Sequence, residues 1–112
     1  MRGQVLKGHL DLLILAVVAE GPTHGYAVRE GLRRRSDEVF DLPEGTVYPA
    51  LHRLEKTGLL TSEWSQVNGR RRRTYRLTKR GSKALFAERD NWERFSTAVT
   101  QVLGGTPWPA TT

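Results

Sequence analysis

Four consecutive arginines, Arg70-Arg71-Arg72-Arg73, with Arg76 close behind, form the densest charge in the chain. A guanidinium offers a planar fork of N–H donors that matches phosphate oxygens and guanine edges. A charge run is often only a solvated loop. At a hairpin tip, however, four like charges repel one another, and an anion that neutralises them is the natural partner. A second group lies upstream, in Gly45-Thr46-Val47-Tyr48-Pro49-Ala50-Leu51-His52-Arg53-Leu54-Glu55-Lys56. Val47, Leu51 and Leu54 recur at helical spacing and predict a buried stripe. Thr46, Pro49, Ala50, Arg53 and Lys56 are then left on the other faces. On such a helix Arg53 would pair with guanine, and Thr46 or Pro49 would meet a thymine methyl. Tyr48 would donate its hydroxyl to a phosphate, with His52 near the same face. The chemistry implied by both groups is recognition of a nucleic acid.

Other chemistries find little support. Cysteine is absent, which excludes disulfides, thiolate metal sites and cysteine nucleophiles, and fits a reducing cytoplasm. His9, His24 and His52 fall on three different predicted helices without ligand spacing, so no metal and no cofactor is expected. No nucleophile elbow, phosphate-binding glycine loop or carboxylate pair stands out, and the chain does not read as an enzyme. Lys and Arg number 18 against 12 Asp and Glu, a formal charge of +6 that suits a polyanion. At 112 residues there is material for one ordinary domain. The apolar run 12–19 follows Arg2 and Lys7 and superficially resembles a signal peptide. It is short, is preceded by His9 and Asp11, and reads better as a buried first helix than as a membrane span.

These residues need elements to position them. Residues 6–20 read as a helix, with Leu6, Leu10, Leu13 and Val17 on one face and Leu12, Leu15 and Ala19 on another. A helix apolar on most sides is covered by more than one neighbour, and in a small domain one neighbour is expected to be a second subunit. Gly21-Pro22 ends it. A second helix over 24–35 follows, with Thr23 as its N-cap and Tyr26, Val28 and Leu32 to bury. The third helix should begin between Pro43 and Thr46 and end near Thr57. Because Pro49 is costly in a helix interior and tolerated in a first turn, it should either start late, with Thr46 near the cap, or be slightly distorted at its start. Gly58 suits its C-cap. Strands are predicted over 59–67 and 73–78, joined at Asn68-Gly69 by a tip that the arginines lengthen beyond two residues. Tyr75 and Leu77 should face the core. Thr78 caps a final helix over 79–103, in which Leu85, Trp92 and Val99 lie seven apart and Phe95 and Val102 complete a seam. Residues 105–112 read as a flexible tail. The fold class is mainly α with a small β-hairpin: a winged helix-turn-helix over 1–78 and a C-terminal helix over 79–104.

Three motifs in order, HGYAVREGL at 24–32, GTVYPALHRLEKTGLL at 45–60 and GRRRRTYRLTKRG at 69–81, make the chain resemble the PadR family of bacterial transcriptional regulators. The resemblance spans residues 6–103. It implies a homodimer that binds a pseudo-palindromic double-stranded DNA operator, most often as a repressor. The DNA-binding set is then Thr46, Tyr48, Pro49, His52, Arg53, Lys56 and Arg70, Arg71, Arg72 and Arg73. It also implies dimerisation through the final helix, here short as in the smaller branch of the family. A dimer channel able to take a small aromatic effector would draw on Leu13, Val17, Trp64, Leu85, Trp92, Phe95 and Val99. The competing reading is a winged-helix module that binds protein or RNA rather than duplex DNA.

Overall fold

The computed structural model describes residues 8–104. Arg2, Leu6, Lys7 and the tail 105–112 lie outside the described residues. Helix α1 (Leu10–Val18) leads into a two-residue strand β1 (Thr23–His24), then α2 (Gly25–Arg35) and α3 (Glu44–Lys56). Strands β2 (Leu60–Val67) and β3 (Arg70–Leu77) form the hairpin, and α4 (Lys79–Val102) closes the chain. The sheet is antiparallel in the order β1-β3-β2.

Packing explains this arrangement. Ile14, Leu15 and Val18 of α1, Val28 and Leu32 of α2, and Val47, Ala50, Leu51 and Leu54 of α3 meet in one core, which Leu60 and Tyr75 close from the sheet. Tyr75 is buried as expected, and Leu77 packs at the core margin. Ala50, expected on an open face, is buried because α1, α2 and strand β2 all pack against α3. Tyr26 departs the other way. It is exposed, and Gly25 and Gly31 are buried in its place. A Cβ at Gly31 would crowd Val17, so the glycine lets α1 and α2 approach closely.

Three local expectations are corrected. His24, not Thr23, caps α2: its Nδ1 accepts the Ala27 N–H at 3.3 Å, while Thr23 pairs with Tyr75 in the sheet. Helix α3 begins at Glu44, within the expected 43–46 but without the late start that puts Thr46 at the cap, because the extended Pro43 turns its carbonyl to both the Thr46 and Val47 N–H groups. Pro49 therefore lies inside the helix, where it leaves the Gly45 carbonyl without a helical donor. Both residues are exposed, so solvent reaches that carbonyl. Finally, the hairpin tip is only two residues long. Asn68 and Gly69 both take positive φ, 53° and 77°, the mirror-image turn whose twist suits paired strands. The arginines consequently stand in the strand, with Val67↔Arg70 and Trp64↔Arg73 in register.

Thr78 does cap α4, accepting the Gly81 N–H at 3.0 Å while its own hydroxyl donates to the Gly58 carbonyl at 2.7 Å. Gly58 has φ +86°, as its C-capping place requires. A Cβ at Gly81 would overlap the Leu59 carbonyl, so helix α4 can start against the end of α3 only with glycine there.

Candidate nucleic-acid interface

On α3 the core stripe leaves Gly45, Pro49, His52 and Lys56 exposed at i, i+4, i+7 and i+11, one continuous outward line. Thr46 and Tyr48 are half-buried on its two flanks. The Tyr48 ring lies against the backbone of Gly25, where any Cβ would collide with it. That contact explains the glycine of the His24-Gly25-Tyr26 motif: it seats the third helix on the start of the second.

Arg53 is placed differently from the guanine contact expected of it. Its Nη2 donates to Asp11 Oδ1 at 2.8 Å and its Nη1 to Oδ2 at 3.1 Å, a two-pronged pair that binds α3 to α1. The hydrogen bond to Asp11 holds the Arg53 pKa above its ordinary value. The fork that would read a base is thus already engaged, and nothing in the sequence spacing of 42 residues announced it.

The four arginines divide by strand alternation, Arg71 and Arg73 toward one face and Arg70 and Arg72 toward the other. This separation relieves the repulsion expected of a loop tip. Arg71 and Arg73 both lie over the Trp64 ring, at 4.6 and 5.3 Å from its centroid. Such cation–π contacts are worth roughly 0.5–1 kcal/mol each when exposed. Arg73 also donates to Ser62 Oγ at 2.8 Å and approaches Glu55 at 3.7 Å. Arg72 reaches back to His24, Nη1 to Nδ1 at 3.2 Å, and so ties the wing to the cap of α2. Burial, then the Arg72 charge, hold the His24 pKa below the usual histidine range. The neutral ring is what a capping acceptor must be. Arg70 is exposed beside the turn.

His24, Tyr48, Trp64, Tyr75 and Arg71–Arg73 surround a groove of about 420 Å³ between wing and helices, with His52 and Glu55 on its rim. Trp64 therefore joins the arginines of the wing rather than the final helix. Trp92 instead meets His9, edge to face at 5.1 Å, and Phe95 at 6.0 Å. Along α4 Leu85 is buried, whereas Trp92, Phe95, Val99 and Val102 are exposed in the single chain. Leu13 and Val17 border a separate cavity of about 250 Å³ with Leu32 and Phe40. In the basic C-terminal turn of α2, Arg33 pairs with Glu30 and Glu38, and Arg35 with Glu20. Among the described residues no cluster of His, Asp and Glu is arranged to hold a metal ion, and no helix is long and apolar enough to cross a membrane.

Three sequential helices, the third with an open outward face, and a basic two-stranded wing define a winged helix-turn-helix protein. The family model of the PadR-like transcriptional regulators matches residues 14–87, and the chain belongs to that family. It is similar to transcriptional regulator Rv3488 of Mycobacterium tuberculosis, with 42% identity over 88% of this chain and 87% of that protein. Among solved structures it is similar to a transcriptional regulator from Clostridium thermocellum, with TM-score 0.81 and 31% identity over 88% of this chain and 97% of that one. A PadR-like regulator from Bacillus cereus also has TM-score 0.81, at 28% identity, covering 93% of this chain and all of that one. The chain is accordingly a transcriptional regulator of the DNA-binding, winged-helix kind.

Proposed function

We propose that the protein acts in the cytoplasm as a homodimeric repressor of a two-fold, pseudo-palindromic operator. In this reading residues 1–78 bind DNA and α4, within 79–104, joins two protomers. The observation that carries it is the pairing of two surfaces: the outward line Gly45-Pro49-His52-Lys56, and beside it the arginine-bearing strand of the wing. Small and unbranched residues at the start of the line allow close approach to base edges, and His52 and Lys56 supply donors deeper in the groove. Thr46 and Tyr48 flank the same face and suit phosphate contacts. Arg70–Arg73 follow the sugar-phosphate backbone beside it, where displaced counterions favour binding. Two copies of α3 enter successive major grooves about 34–36 Å apart, a spacing that the dimer fixes.

The exposed line Trp92, Phe95, Val99 and Val102 is the surface that the second protomer covers. A small aromatic effector held near Trp92 at that interface would release DNA by favouring a reader spacing that the operator does not match. Arg53 enters this reading as a positioning residue, through Asp11.

The test is a salt-resolved binding titration on the DNA upstream of the protein's own gene, beside scrambled DNA of equal length. Tight binding to the first alone, at two protomers per site, is the expected result. Equal binding to both that vanishes with salt would reduce the surface to a generic polyanion patch. Binding to single-stranded RNA in preference to either duplex would favour the alternative module. R71A/R72A should weaken binding to every duplex and flatten the salt slope by about 1.8, the share of two phosphates. H52A should instead change the preference among duplexes, by about 1–3 kcal/mol at the affected base pair.

A further inference from the structure

The dipeptide His24-Gly25 stands where four elements come together. His24 ends β1 and lies opposite Thr74 of β3 in the sheet. Its ring caps α2 by accepting the Ala27 N–H. The Tyr48 ring of α3 lies against the backbone of Gly25. Arg72 is two residues from Thr74, on the same face of the sheet, and reaches the His24 ring from the wing. Two adjacent residues thus link the wing, the second helix and the reader helix.

The Arg72 contact requires one form of the ring. Nη1 of Arg72 lies 3.2 Å from Nδ1 and 3.4 Å from Nε2. In the ring plane, Cε1 would block an atom so nearly equidistant from both nitrogens, so the guanidinium lies over the ring face. A neutral imidazole tolerates a cation there, and an imidazolium repels it. Nδ1 must also stay unprotonated to accept the Ala27 N–H. One proton on the ring therefore removes the cap and the seat of Arg72 together. The other charges around the groove do not offset this. Glu55 accepts the Ser62 hydroxyl and faces Arg73, Arg71 and Arg73 lie over Trp64, and His52 stands on the rim. The phenols of Tyr48 and Tyr75 complete the lining, and on α2 Glu30 is taken up by Arg33 and the Tyr26 hydroxyl. Burial, and then the Arg72 charge, favour the neutral ring in the folded chain.

We propose that neutral His24 is a positioning residue that seats the wing beside α3 through Arg72, and that protonation of its ring unseats the wing and weakens preference for the operator. The effect on DNA rests on the reading of α3 and the wing as its two contacts. Phosphate contacts hold a protein in register on the duplex, so a displaced wing blurs the base contacts of α3. The added charge attracts every duplex alike, and acid lowers the preference rather than the binding itself. The fall begins near the ordinary histidine value of about 6.5 and is completed at lower pH, because the folded chain takes the proton less readily.

The full chain without DNA supplies the first arm of the test. The ring resonances of His9, His24 and His52 and the backbone amides of Arg72 and Thr74 are followed by NMR from about pH 8 to about pH 5. Both amides should shift with the midpoint of the His24 ring and stay still in H24N, where asparagine still caps α2. R72Q should move the His24 midpoint up toward the ordinary value. A midpoint indifferent to R72Q, or wing amides that do not follow the ring, overturns the proposal. Circular dichroism confirms that each variant is folded, and R72Q remains informative should H24N unfold. The second arm measures preference for the DNA upstream of the protein's own gene over scrambled DNA at both ends of that range. With acid it should fall about fivefold in the wild type, a loss appropriate to one cation contact, and remain level in H24N and R72Q. H52N should alter the preference at every pH and keep the fall. A fall that survives H24N, or that is lost only in H52N, overturns the link to DNA. If neither duplex is preferred even at the alkaline end, the operator reading fails, while the ring titration decides the seating of the wing by itself.

Discussion

The body of the molecule and its last helix use apolar residues in opposite ways. Among the described residues, thirteen of the fourteen buried hydrophobics lie between Leu10 and Tyr75, and α4 supplies only Leu85. Six of the nine large exposed hydrophobics among the same residues, by contrast, lie on α4 or its C-cap: Phe86, Trp92, Phe95, Val99, Val102 and Leu103. Both regions carry the same 3.6-residue signature in sequence. In the body that signature is satisfied by neighbours from the same chain. Along α4 it runs past the end of the core, and the molecule extends to 57 Å in its long dimension. Periodicity therefore states that a face will be covered without stating by which chain.

Breaking that contrast should have its largest effect on assembly. Truncating two aromatics at the centre of the proposed interface, W92A with F95A, should cost about 4 kcal/mol of association, as hot-spot residues do. That is roughly a thousandfold in dissociation constant. Sedimentation equilibrium should find the parent chain dimeric and this variant monomeric, and an undisturbed dimer in the variant would place the interface elsewhere. The joint between the regions comes next. G81A drives a Cβ into the Leu59 carbonyl, which backbone cannot easily vacate, and should lower stability by about 2 kcal/mol in thermal unfolding.

Within the body, D11N should cost at most about 1 kcal/mol, since the Asp11–Arg53 pair is half-exposed on both sides. R53A should cost a similar amount, and the double variant no more than either, because the two act as one unit. If R53A relaxes sequence preference on DNA and D11N does not, Arg53 leaves Asp11 to read a base after all. The smallest effect belongs to His24. Its folded pKa is depressed, so the unfolded chain binds the proton more readily and stability falls with pH below the unfolded value of about 6.5. Above that value its contribution is complete. Melting between about pH 7.5 and about pH 5.5 should therefore be shallower in H24N, where asparagine still caps α2 but does not titrate.

Much of the fold was legible because it rests on local rules. The stripe Val47-Leu51-Leu54, the Asn68-Gly69 turn and the Thr78 cap each depend on residues within a few positions of one another. The errors came where local signals competed. Four adjacent arginines suggested a loop, yet strand alternation had already separated them. Pro49 suggested a late helix start, yet Pro43 offered a carbonyl two residues before Gly45. Thr23 is a good cap by type, but pairing with Tyr75 takes it into the sheet and leaves the cap to His24. The candidate interface was legible in its residue types and less so in their pairings. His24 with Arg72 and Gly25 with Tyr48 join residues far apart in the chain, and Trp64 meets Arg71 only across the folded hairpin.

By itself the sequence determined the family, the order of helices and wing, the excess of positive charge and the apolar faces. All of these follow from side-chain type and short-range spacing, which folding does not rearrange. The tertiary structure alone decided which cations remain available. Arg53 is bound by Asp11, Arg73 by Ser62 and Glu55, and Arg71 stands over Trp64 with no carboxylate beside it among the described residues. An ion pair forms wherever packing brings two charges together, and packing is set by the whole core rather than by neighbours in sequence.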